Sequence, residues 1–142
     1  MKRRGGEVMD LRGESALSFI NSRFSENQIN DLLGVEATRT ITKGQPLRKT
    51  DDEVAEKNIW ILKERIAFNE TPGDSLARLL DRLPLEQVQM IAKACEEVRI
   101  SVNVRSELGQ IGFSIEPEVL ARLVDFGIRL DVDILSFGMV EK

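Results

Sequence analysis

Between Thr38 and Lys43 the chain gathers Thr38, Arg39, Thr40, Thr42 and Lys43, a set of donors suited to an anion. Arginine offers a planar fork, lysine a point charge, and the hydroxyls with neighbouring amides complete the shell. No glycine-rich phosphate loop of the usual spacing accompanies them. The plainer reading is an exposed strand edge, where β-branched residues favour extended backbone and cations keep it solvated. Trp60 is the single tryptophan; it either lines a ligand groove or, as a lone tryptophan in an apolar strand more often does, fills core. Towards the C-terminus Asp131 and Asp133 share a strand face with Arg129. They could hold a hard cation, but two carboxylates without a third ligand are an incomplete set, and an ion pair with Arg129 accounts for them as well. The candidate ligand-binding residues are therefore Arg39, Thr40, Lys43, Trp60, Asp131 and Asp133. No catalytic or metal-ligating set is assigned, and no cofactor is implied.

The 142 residues contain neither histidine nor tyrosine. That removes the commonest general base, the commonest metal ligand and the phenol acid. The one cysteine, Cys95, falls on the apolar side of a predicted helix and reads as a small buried hydrophobe. Net charge is −4 with lysines and arginines scattered, which argues against a nucleic-acid partner. Lys2-Arg3-Arg4 is followed by no apolar run of signal-peptide length, and no window is long and apolar enough for a membrane span. The expectation is a soluble, cytoplasmic protein with no membrane partner.

Hydrophobic spacing supplies the elements that must position these residues. Ala16–Ile20 predicts a first strand, and Ser25-Glu26-Asn27-Gln28 a capping box opening a helix that Gly34 ends. Val35–Ile41 and Asn58–Ile66 predict strands on either side of an exposed loop containing Pro46. Leu76, Leu79, Leu80 and Leu83 recur at helical spacing behind a cap at Asp74 or Ser75, and Pro84 fits the first turn of a second helix. Arg99–Arg105 alternates cleanly, and Ile111, Phe113 and Ile115 alternate after a turn, so the two predict an antiparallel hairpin. Pro117 opens a last helix that Gly127 ends, before a strand carrying Leu130, Val132 and Ile134. The order predicts an α/β (α+β) fold: a ferredoxin-like mixed, mainly antiparallel sheet with helices on one face and an added βαβ unit. One domain over 16–137 is expected, with a flexible segment 1–15 and a tail 138–142.

Ile29 to Gly44, then Trp60, then Leu123 to Ile134 resemble the bacterial domain-of-unknown-function family 4279. The likeness lies in a helix ending in Leu33-Gly34, a threonine-rich strand leading to Lys43-Gly44, a tryptophan on the next strand and the closing Leu130-Asp131-Val132-Asp133-Ile134. It covers nearly the whole domain and implies no established activity. Ala37 stands where many members have proline, and Ser136-Phe137 where a tyrosine is expected, so no role for that phenol carries over.

Two functions follow as expectations. The first is a non-enzymatic binding or protein-interaction module, in one version an immunity-type protein, whose sheet face bearing Arg99, Ser101, Asn103 and Arg105 meets another protein or a second copy. Leu108, Phe137, Met139 and Val140 could pair with another subunit or form a frayed tail. The alternative is a small-molecule enzyme or anion-binding protein using Arg39 or Lys43 as clamp and Asp131 or Asp133 as base.

Overall fold

Five strands and four helices follow one another along the chain: β1 (Arg12–Ile20), α1 (Glu26–Leu33), β2 (Arg39–Ile41), β3 (Ile59–Arg65), α2 (Pro72–Asp81), α3 (Leu85–Ala92), β4 (Glu97–Leu108), α4 (Pro117–Phe126) and β5 (Leu130–Met139). The structure is a computed structural model and describes residues 11–47 and 53–139. Most of the expected flexible start and tail, Val140 included, lies outside the described residues, while β1 and β5 reach past 16 and 137.

The helix boundaries follow from side chains that satisfy free backbone groups. Ser25 Oγ accepts from the Gln28 amide at 3.2 Å and Gln28 Oε1 accepts from the Ser25 amide at 2.8 Å, the expected capping box. Gly34 closes α1 at φ 71°, left-handed backbone that glycine adopts without penalty. At α2 the cap is Thr71 rather than Asp74 or Ser75, with Asp74 as its reciprocal partner. Ser75 is instead buried, where its hydroxyl donates to the Glu64 carbonyl at 2.7 Å and lies 3.0 Å from Ser15 Oγ. Pro84 stands at the N-cap of α3, one step before the first turn.

The strands lie in the order β2-β3-β1-β4-β5, antiparallel throughout except for the parallel pair β4 and β5. The β1-α1-β2 unit therefore straddles β3, and the β3-α2-α3-β4 unit straddles β1, giving two interleaved split βαβ units. The α4 crossover then adds β5 beside β4, as a parallel neighbour requires. This is the expected α+β class, with a mainly antiparallel sheet.

One predicted strand does not form. Residues 110–116 carry no strand, and the two neighbours of β4 are β1 and β5. The alternation of Ile111, Phe113 and Ile115 records burial, since all three pack partly against the core. Their backbone runs over the start of α2, where the Ser114 carbonyl would stand 2.6 Å from a Cβ on Gly73.

Leu17 and Phe19, Trp60 and Leu62, and Ile100, Val102 and Val104 share one core cluster with the helical Ile29, Leu76, Leu79, Val88, Ile91 and Leu123. Ala16 and Ile20, which point the other way, belong to no part of it. The helices thus cover one face of the sheet.

At the end of β3 the chain is tied to α2 by charge. Glu64 accepts from Arg78 and Arg82, and Arg78 also grips Glu70 through two hydrogen bonds of 2.9 and 2.6 Å. The Arg78 hydrogen bond holds the Glu70 carboxyl below its ordinary 4.5 despite partial burial. The unfolded chain therefore binds the proton more tightly, so this group contributes stability above that ordinary value and loses it as pH falls through the lower folded value. Urea midpoints taken as the pH is lowered below 4.5 should fall, and in Arg78→Ala they should fall less steeply. Both side chains touch solvent, so the difference is modest.

Candidate functional site

The uncovered face of the sheet is ordered by its register into cross-strand rows. Lys63, Ala16, Ser101 and Asp131 form one row, Arg65, Glu14, Asn103 and Asp133 the next, and Ile61, Ser18 and Arg99 the one before. Side chains in these rows hold one another. Lys63 Nζ lies 3.3 Å from Glu14 Oε2, Glu97 Oε2 accepts from Arg99 at 2.8 Å and from Arg129 at 2.7 Å, and Asp131 stands 3.4 Å from Arg129 Nε and 3.9 Å from Arg99 Nε. Asp131 is therefore flanked by two guanidinium groups, the ion-pair arrangement anticipated for it. Two positive charges beside this carboxylate offset its charge and repel a cation.

The sequence candidates do not converge on one site: Thr40 and Trp60 adjoin, and Asp131 and Asp133 share a face of β5, but the two groups lie apart. Arg39 points to the open face opposite Ile61, Thr40 stands opposite Trp60, and the Lys43 amide, in the turn after β2, donates to Asn58 Oδ1 at 2.7 Å. Asp131 and Asp133 lie on β5, at the other edge of the sheet. Four strand spacings separate β2 from β5, roughly 19 Å. An enzyme clamping an anion with Arg39 or Lys43 while Asp131 or Asp133 acts as base requires one substrate within hydrogen-bond reach of both, and that span exceeds it.

Trp60 is 3% exposed. Its ring packs against Phe19, tilted by 42° with centroids 5.5 Å apart, and Nε1 donates to Asn30 Oδ1 at 2.9 Å. The tryptophan is core, with its one polar atom already satisfied. A cleft of about 340 Å³ opens beside it, lined among others by Phe24, Gln28, Thr40, Thr42 and Asn58. Thr40 is half-buried there. The N-terminus of α1 also reaches this cleft, but the capping box and the Glu26 carboxylate in the first turn make it a poor receptor for an anion. The Thr38 hydroxyl accepts from the Lys63 amide at 2.9 Å, which holds its oxygen against β3 without using its own donor.

Sequence reasoning missed the asparagines that build this end of the molecule. Asn30 joins Trp60 to the Ala37 amide. Asn21, at φ 50°, exchanges backbone and side-chain bonds with Asn58 and donates to Glu96, which also pairs with Lys57. The signal was present, because asparagine tolerates left-handed backbone and bonds to nearby peptides in turns. Cys95 is half-buried, and burial pushes its thiol above the ordinary range while a Ser22 contact partly offsets that. It is thus a thiol at neutral pH rather than a nucleophilic thiolate.

Among the described residues no three His, Cys, Asp or Glu side chains gather into a metal-binding group, and no helix is long and apolar enough to cross a membrane. No curated protein and no solved structure matches the chain. A family model does match, over residues 12–137, and its description is a domain of unknown function, DUF4279. Matched from the first strand through most of the last, the chain belongs to the DUF4279 family.

Proposed function

We propose that the protein is a non-enzymatic interaction module whose open sheet face docks another protein. The observation that carries this reading is the one-sided cover: four helices pack against one face and leave the other as rows of polar side chains around Ser101. Those side chains are already pinned by the Lys63–Glu14 pair and the Arg99, Arg129, Glu97 and Asp131 network. Docking on them costs little side-chain entropy. Mixed charge at fixed positions favours a partner of complementary pattern over a small molecule. The absence of histidine and tyrosine from the sequence supports a role without acid–base chemistry. Toxin blocking in the bacterial cytoplasm is one form such a module takes.

A photo-crosslinking residue placed at Ser101 should capture one adduct of defined mass in native cells, whereas the same residue at Glu86, exposed on α3 in the helical layer, should capture none. Failure at Ser101, or equal capture at both positions, would remove the open face as the docking surface.

A further inference from the structure

The two edges of the sheet differ. β2 is three residues long, and the segment after it folds back through a bridge between Pro46 and Val54; short edges resist pairing with other chains. β5 is ten residues long, and among the described residues no strand pairs with its outer side. It carries neither lysine nor proline. Val132 and Ile134 lie in register with the buried Val102 and Val104 yet remain 49% and 47% exposed, and Leu135 and Phe137 are exposed on the opposite face. α4, which leads into β5, presents Leu120 and Val124 to solvent.

The ladder shows which backbone groups are free. The Ile100 amide donates to the Arg129 carbonyl at 3.1 Å. In a parallel ladder the peptide groups of Asp131, Asp133 and Leu135 then face β4, and those of Leu130, Val132, Ile134 and Ser136 face outwards. We propose that this row pairs antiparallel with the same row of a second copy, about a two-fold axis at Ile134, joining two sheets into one of ten strands.

Charge selects that register. A two-fold axis normal to the sheet sets residues of the same face opposite one another. Centred on Val132 it would oppose Asp131 to Asp133, and centred on Asp133 it would oppose that residue to its own copy. Like charges directly opposite destabilise a sheet. Centred on Ile134, Asp133 meets Leu135 and Asp131 meets Phe137, while Ile134 meets its own copy as a hydrogen-bonded pair. About Ile134, Gly138 falls at the end of the pairing opposite Leu130, whereas a centre further on draws it inwards, where φ is 73° and the β4 register shifts. The inference does not depend on the open-face reading, although the two open faces would become continuous.

Sedimentation of the full chain should give a species of twice 16.0 kDa. Ile134→Pro deletes an outward amide that β4 does not use, so the subunit should keep its circular dichroism while the dimer weakens roughly 100-fold. In a Cys95→Ala background, Ile134→Cys should oxidise to a covalent dimer, because hydrogen-bonded pairs sit about 5.5 Å apart at Cα, within disulfide range. Asp133→Cys should not. A monomer at every concentration up to roughly 500 μM overturns the proposal. So does a dimer indifferent to Ile134→Pro, or cross-linking through position 133 in place of 134.

Discussion

Gly13→Ala is expected to cost about 3 kcal/mol or more, a large share of the roughly 5–15 kcal/mol that holds a domain together. Gly13 lies in β1 opposite Val104 of β4, at φ +133°, a conformation L side chains rarely adopt. A Cβ there would fall well inside the Asn103 carbonyl oxygen, and 2.9 Å from its carbon. Both obstacles are backbone of the neighbouring strand, so no rotamer change relieves them. The Gly13 carbonyl also accepts from the Ile66 amide at 3.0 Å, so displacing the residue disturbs the end of β3 as well. Urea unfolding measures the loss, with Gly112→Ala as control: that site has open space around its Cβ direction and should change by no more than about 0.5 kcal/mol. Amide spectra should place the disturbance along β1 and β4, beneath the row that holds Glu14, Asn103 and Asp133.

What was legible in the sequence was whatever local chemistry dictates. The Ser25 box, the glycine after Leu33, the leucine stripe of α2 and the alternation of Arg99–Arg105 are each decided within a few residues, and each formed. The last helix and strand were legible too, but the added βαβ unit was expected to start from a strand at 111–115, whereas the unit that forms is β4-α4-β5, with β5 the parallel neighbour of β4. Ile111 to Ile115 misled because alternation reports which side chains are buried, and a strand also needs a free edge to pair with. Both edges of β4 were taken. The candidate site was legible only in its residue types. Whether Arg39 reaches Asp133 depends on strand order, a non-local property, and the order sets β2 and β5 at opposite edges. The role of Asn30 was hidden for the same reason, since its partner Trp60 is thirty positions away in sequence.

Trp60→Ala should cost about 3–5 kcal/mol and lower the melting temperature by roughly 10–15 °C. The side chain is 3% exposed and packs against Phe19, itself 1% exposed, so its removal leaves a void that β1 and β3 cannot close without breaking their ladder. Trp60→Phe separates the two contributions of the ring. It keeps most of the packing and deletes the donor to Asn30 Oδ1, whose other hydrogen bond, from the Ala37 amide, persists; the expected loss is about 1 kcal/mol. The contrast bears on function as much as on stability. A tryptophan that bound ligand would be exposed in the free protein and its alanine variant would stay folded while losing a partner. A tryptophan that closes the core at the blunt edge of the sheet does the reverse: its substitution melts the protein, while the tryptophan fluorescence of the folded wild type ignores phosphate, sulfate and nucleotides at millimolar concentration. Thermal melts of the two variants beside that titration assign Trp60 to the scaffold, apart from the open face and the β5 edge proposed above for recognition.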